Sequence, residues 1–298
     1  MPRPTKRQPV VSPLDEWVDL HKKVPDTLYH YTGTDGLLTM LRSGHVWATE
    51  YRYMNDASEF AHAAALISSV IDSATRKRSH AALDQVRRSL ESQASDAFWQ
   101  HRMFLMSLCV DGDLLSQWRG YREVDSGYAL GLDSASLLET HQTDGPPRIL
   151  RRVLYDPAEQ RRIVEALINA VLERRVTEAD PRFWSFFNEA LISFKHASFA
   201  HEQEWRLAQL GGAWTQTGER SHYPVQFRQS GGELIPYADL DLTGSHGRHA
   251  GRLPLATLVH GPRRHPARSD KTLRLLLESC GYADAQVQLR GSKVPFLG

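Results

Sequence analysis

The sequence predicts an α+β fold built on a mainly antiparallel sheet. Three observations carry that reading. About nine short apolar or alternating segments read as strands. Two long helical stretches, at about 57–100 and 156–197, enter as blocks. Strands and helices do not alternate in the steady rhythm of a parallel βαβ protein. No Pro/Gly/Ser-rich linker bounds either helical block, so residues 14–298 are expected to form a single domain with two helical insertions.

Taken in order, residues 1–13 hold four prolines and three basic side chains and are expected to be a disordered arm. A short amphipathic helix over 15–21 follows, anchored by Trp17, Val18 and Leu20 and stopped by Pro25. Residues 27–32 read as a strand. Thr34 is an N-cap for a helix over 35–42, with Ser43-Gly44 as its stop. A strand over 46–49 precedes Asn55-Asp56. From there Phe60, Ala64, Ile67, Val70 and Ile71 fall on one helical face. A second helical run covers 79–100. Strands are expected over 102–110, 127–132 and 149–155, with a short helix over 114–120. Asp156-Pro157 opens a helix to about residue 176, and an aromatic-rich helix covers 183–195. Strands over 204–210, 223–227, 233–237 and 255–260 follow. The stretch 244–251, with two histidines among small polar residues, reads as a surface loop. Ser269 caps a helix ending at Gly281, and 285–289 is the last strand.

Composition narrows the class. The chain has 298 residues, 41% hydrophobic and 24% charged, enough for a sizeable core. Its net charge of +1 supplies no global field for nucleic acid or a membrane surface. Most of the basic pairs (Arg87-Arg88, Arg151-Arg152, Arg161-Arg162, Arg174-Arg175 and Arg263-Arg264) read as solvated helix faces, the alternative being a nucleic-acid track. Two isolated cysteines, Cys109 and Cys280, make a disulfide framework or a thiolate zinc site a poor expectation. No apolar run approaches the ~20 residues of a membrane span. The N-terminus lacks the apolar centre of a signal peptide, so a cytoplasmic protein is expected. The histidine spacings lack a flanking carboxylate set, and no metal is expected.

The chain carries no phosphate-binding loop, dinucleotide-binding glycine pattern, zinc-protease helix or nucleophile elbow. Three segments remain. His30 ends the first buried strand, where a polar group either binds a ligand or is satisfied within the core. Glu202, Glu204 and Arg206 alternate along one stretch, and strand alternation would put all three on one face. They make either an ordinary Glu–Arg strand edge or a carboxylate pair that stabilises positive charge on an anomeric carbon. The third segment runs from Ser116 to Tyr121. Arg119 there suits a phosphate and Trp118 or Tyr121 a ring, or else Trp118 fills core and Arg119 bridges loops. Asn55-Asp56 suits either a site wall or a helix cap.

Together these segments resemble a bacterial family, domain-of-unknown-function family 2971. The residues that carry the resemblance are Leu28-Tyr29-His30-Tyr31-Thr32, Leu41 with Ser43-Gly44, Asn55-Asp56 with Glu59-Phe60, and Ser107-Leu108. Further on they are Leu115 to Trp118, Gly127 to Leu132, Glu202 to Leu207, Val259 to Gly261 and Ser292 to Pro295. That family is in turn similar to ADP-ribosyltransferases. The similarity implies a split, mixed sheet that clamps NAD as a substrate. It implies that His30, with Tyr31 and Thr32 beside it, holds a ribose hydroxyl. Glu204 would be catalytic and Glu202 would orient the acceptor. Tyr51 or Tyr53 would stack on nicotinamide, with Asn55, Trp118 and Arg119 as walls.

Three function classes follow. The first is an NAD-consuming transferase or glycohydrolase, as in a toxin or phage-defence effector, whose acceptor is a protein or a nucleic acid. The second is a nucleic-acid-binding or -processing protein that uses the Arg119 region without NAD. The third is an inactive interaction module on the same fold.

Overall fold

The computed structural model describes residues 23–54, 58–91, 102–120, 127–139, 148–177, 182–210, 212–214, 220–222, 224–244, 249–263, 265–283 and 286–295. The expected arm, the helix over 15–21, Asn55-Asp56 and Tyr121 lie outside the described residues. The fold is α+β, with a mixed, mostly antiparallel sheet and several helices.

The sheet is organised around β3 (Met103–Cys109), whose residues are nearly all buried. One edge of β3 pairs along its whole length with β6 (Glu204–Leu210), which pairs in turn with β5 (Arg148–Arg152). The other edge is shared end to end by two strands. β1 (Thr27–Thr32) meets it at Tyr29↔Cys109, and β2 (His45–Glu50) meets it at Thr49↔Leu105 and Glu50↔Phe104. The sheet therefore forks at Ser107. From β1 it continues through β4 (Tyr128–Asp133) and β11 (Leu255–His260) to β12 (Gln288–Gly291). The β11–β12 contact is parallel. From β2 it continues through β10 (Glu233–Asp241) to β9 (Val225–Ser230). A separate hairpin joins β7 (Gly212–Trp214) to β8 (Arg220–His222).

Strand alternation sends two sets of side chains to two cores. On one face, Met103, Leu105 and Ala208 join residues of four helices: α2 (Ser58–Thr75), α3 (Ala81–Glu91), α6 (Pro157–Leu172) and α7 (Arg182–Ser193). The two helical blocks of the sequence thus pack against each other as well as on the sheet. On the opposite face, Leu28, Phe104, Met106, Leu130 and Leu207 pack with α1 (Thr34–Ser43) and α8 (Pro266–Ser279). Two short helices, α4 (Leu115–Gly120) and α5 (Ser134–Glu139), complete the described helices. No helix among the described residues is long and apolar enough to cross a membrane.

Several boundaries differ from expectation. Gly33, not Thr34, is the N-cap of α1 and offers no side chain, so Thr34 is the first helical residue. His265 precedes α8, which opens on Pro266 because proline lacks the N–H that the first turn leaves unused, and Ser269 lies inside the helix. β9 and the last strand begin and end later in the chain than expected. Of the 244–251 stretch, residues 245–248 lie outside the described residues; at its ends Gly244 is bridged to Ala250 and His249 is buried. The β7–β8 hairpin was not foreseen.

Gly131 shows why the β4 motif needs a glycine. A Cβ there would sit 2.7 Å from the Tyr29 ring and 3.0 Å from both Thr257 Cβ and Thr27 Cγ2. Crowding from two neighbouring strands leaves no direction of relief. Gly131→Ala is expected to cost about 1–3 kcal/mol, read as a lower midpoint in urea at unchanged slope.

Candidate functional site

The fork in the sheet exposes one stretch of β3 edge that no strand covers. Ser107 occupies it, and its carbonyl accepts a hydrogen bond from Nδ1 of His30 at 3.0 Å. The imidazole takes the place of a strand. A carbonyl can only accept, so Nδ1 carries the proton. Burial, the larger influence, lowers the pKa of His30 below its ordinary 6.5, against the bond to Ser107. The ring is therefore neutral at pH 7, and Nε2 presents a lone pair. Among the described residues Nε2 has no partner. His30 itself is only half-buried.

The side chain of Ser107 points the other way. Its Oγ donates to Glu204 Oε1 at 2.7 Å. Ser107 and Arg206 are register partners, and so are Cys109 and Glu204, so all four share one face. His30 starts from the opposite face, because its neighbour Tyr29 is the residue paired with Cys109. The histidine and the glutamate thus meet through a single serine, one at its carbonyl and the other at its hydroxyl.

Around Glu204 lies a buried ionic network. Arg206 donates from Nε to Glu204 Oε1 at 2.9 Å and from Nη2 to Oε2 at 3.0 Å. Lys195 Nζ reaches Glu204 Oε2 at 3.2 Å, Glu59 Oε1 at 2.7 Å and Glu202 Oε2 at 2.7 Å. Arg206 Nη2 also donates to Glu59 Oε2, and Nη1 to the Ile192 carbonyl at 2.9 Å. Three carboxylates face two cations, which leaves one negative charge in excess. The neighbouring Arg151–Glu189 pair, at 2.8 Å, is balanced.

Glu204 is 3% exposed and its two oxygens accept four bonds. Burial alone would raise its pKa. Arg206, then Lys195, and the Ser107 hydroxyl outweigh burial and hold the carboxyl at about 2. The same carboxylates push the pKa of Lys195 up despite its burial. Glu204, Lys195 and Arg206 are thus charged near neutral pH. Glu202 differs: its side chain is 18% exposed, and only Oε2 is bonded among the described residues.

Local geometry explains how the two glutamates converge. Glu202 ends a 3₁₀ turn, Ala197–Glu202, and Gln203 adopts a left-handed conformation (φ 46°) before β6 starts at Glu204. Strand alternation does not apply across that corner. The carboxylates meet because Lys195 lies between them. Nor is β6 an edge, since β3 and β5 flank it.

The other expected site residues spread out. Tyr31 is buried; its hydroxyl donates to the Asp111 carbonyl at 3.0 Å and accepts from the Leu114 amide at 2.9 Å. Trp118 lies edge-on to Tyr31, with ring centroids 4.8 Å apart, and its Nε1 donates to Asp113 at 2.8 Å. Both are spent within the fold. Thr32 is buried against Gly36, and Tyr51 packs on Phe60. Tyr53 and Arg119 are exposed. Arg87, Arg151, Arg161 and Arg175 each meet a carboxylate within 4.0 Å. Lys195, Glu59 and Ser107 are site members that residue-by-residue reasoning did not select, although Glu59 and Ser107 stand within the motifs that carry the resemblance.

A family model described as "Protein of unknown function (DUF2971)" matches residues 117–207. That stretch runs from α4 to the middle of β6 and contains Lys195, Glu202, Glu204 and Arg206, so it supports the resemblance where the ionic network is built. His30, Glu59 and Ser107 lie before it. No curated protein and no solved structure matches the chain.

Proposed function

We propose that the protein cleaves the nicotinamide–ribose bond of NAD, on a site spanning the fork in an ADP-ribosyltransferase-like sheet. The observation that carries this reading is the Glu59–Lys195–Glu202–Glu204–Arg206 network, in which three carboxylates face two cations, open to solvent at Glu202. Fixed negative charge in a desolvated place stabilises a cation forming beside it. In this reaction the C1′–N bond breaks, its electron pair leaves with neutral nicotinamide, and the ribosyl carbon becomes an oxocarbenium ion. A nucleophile then bonds to C1′ and releases a proton.

The roles follow from burial. Glu204 is saturated by protein donors and acts as the charge behind the site. Glu202, with one oxygen unbonded, is the carboxylate that faces the sugar. This exchanges the roles implied by resemblance, where Glu204 makes that contact. Neutral His30 accepts a hydrogen bond from a ribose hydroxyl at Nε2. Tyr53, the exposed aromatic of its segment, is the better candidate to stack on nicotinamide.

Release of nicotinamide from NAD by the purified protein, alone and with protein or nucleic-acid acceptors, tests the reading. Wild-type protein is expected to release it, and His30→Ala is expected to raise KM more than it lowers kcat. No release under any acceptor condition would leave the nucleic-acid or interaction-module reading instead.

A further inference from the structure

A groove of about 390 Å³ lies beside α8, lined by Tyr128, Arg263, His265 and Arg268 together with Ser269, Thr272 and Leu273 of the helix. Its position is set by the sheet. Tyr128 is the register partner of Thr32, and Thr32 shares a strand face with His30 two residues earlier. Leu273 of α8 and Tyr128 belong to the same core as Leu28 and Leu130. The groove therefore opens at the end of β1 and β4, on the face from which His30 projects.

Its lining is cationic and weakly engaged. The Arg263 guanidinium stands 4.6 Å from the centre of the Tyr128 ring, and Nη2 makes one long bond, 3.4 Å, to the Gly127 carbonyl. Its Nε is buried and unpartnered among the described residues. Neither Arg263 nor Arg268 has a carboxylate partner among those residues. The acid of the same helical turn, Asp270, is held by His260 Nε2 at 2.9 Å. The first turn of α8 has no side-chain cap, so its amides add to the positive character. A stacked arginine with free donors suits the planar, paired oxygens of a phosphate. The volume falls within the usual range for small-molecule sites and exceeds what a lone phosphate fills.

We infer that this groove binds the phosphates of a nucleotide-sized ligand, with Arg263 and Arg268 as the contacting residues. That the ligand is a dinucleotide rests on the reading above; the phosphate site does not. Titration of the full chain with inorganic pyrophosphate and with ADP-ribose, followed by calorimetry, tests it. Both probes are expected to bind wild-type protein and to bind at least tenfold more weakly to Arg263→Ala and to Arg268→Ala. Arg268 is exposed, so its substitution keeps the test valid if Arg263→Ala loosens the fold. Glu202→Gln is expected to leave pyrophosphate binding unchanged, which separates this site from the chemistry. Failure of wild-type protein to bind either probe, or ADP-ribose affinity unchanged in both arginine variants, would overturn the inference.

Discussion

Arg206→Met is expected to cost about 3–5 kcal/mol of folding stability, read by chemical denaturation. The guanidinium is 3% exposed and joins Glu204 to Glu59. Without it, three carboxylates share the single charge of Lys195. The loss comes from charges left buried without partners, not from lost packing. The double variant Arg206→Met, Glu204→Met is therefore expected to be more stable than Arg206→Met alone, because two carboxylates rather than three then share Lys195. The acid side carries the same logic. The Glu204 carboxyl ionises at about 2 in the folded protein against 4.5 in the open chain. A depressed carboxyl contributes stability that is complete above 4.5 and fades as pH falls towards 2. The contribution is about 3 kcal/mol at neutral pH. Arg206→Met should shift acid unfolding to higher pH, since burial then acts on Glu204 with less opposition.

Glu202→Gln is expected to have the opposite profile: a small effect on stability and a large one on turnover. Its carboxylate is partly solvated and holds one bond to Lys195, so its loss should change stability by no more than about 1 kcal/mol. Removing the charge nearest the forming cation should lower kcat by about 10²–10³-fold. Nicotinamide release by this variant, with its thermal midpoint alongside, measures both.

The two ends of this site were legible in the sequence to different depths. His30 could be placed on the first strand because Leu28 and Thr32 frame it with a strand pattern, but it does not end that strand: β1 stays paired to β4 through Tyr31 and Thr32. The strand starting at Glu204 was equally clear from Trp205, Leu207 and the alternation between them. The link between them was not legible. Ser107 looks like one polar residue in an apolar strand, and only the fork in the sheet reveals that its carbonyl is uncovered. Lys195 ends an aromatic helix and resembles a solvent-facing terminus; its burial depends on the packing of α2 against α6 and α7, which local periodicity does not encode. The Glu202–Glu204 convergence was expected from strand alternation, yet it arises from a left-handed corner at Gln203 and from Lys195. Caps were misjudged where a glycine or a histidine stands in a position usually given to a hydroxyl, as at Gly33 and His265.

The most direct test of the central claim is nicotinamide release from NAD by wild-type protein and by Glu202→Gln at matched folded fraction. The account predicts release by wild-type protein and a loss of at least about 100-fold in a variant that remains folded. Equal release by the two proteins would contradict it.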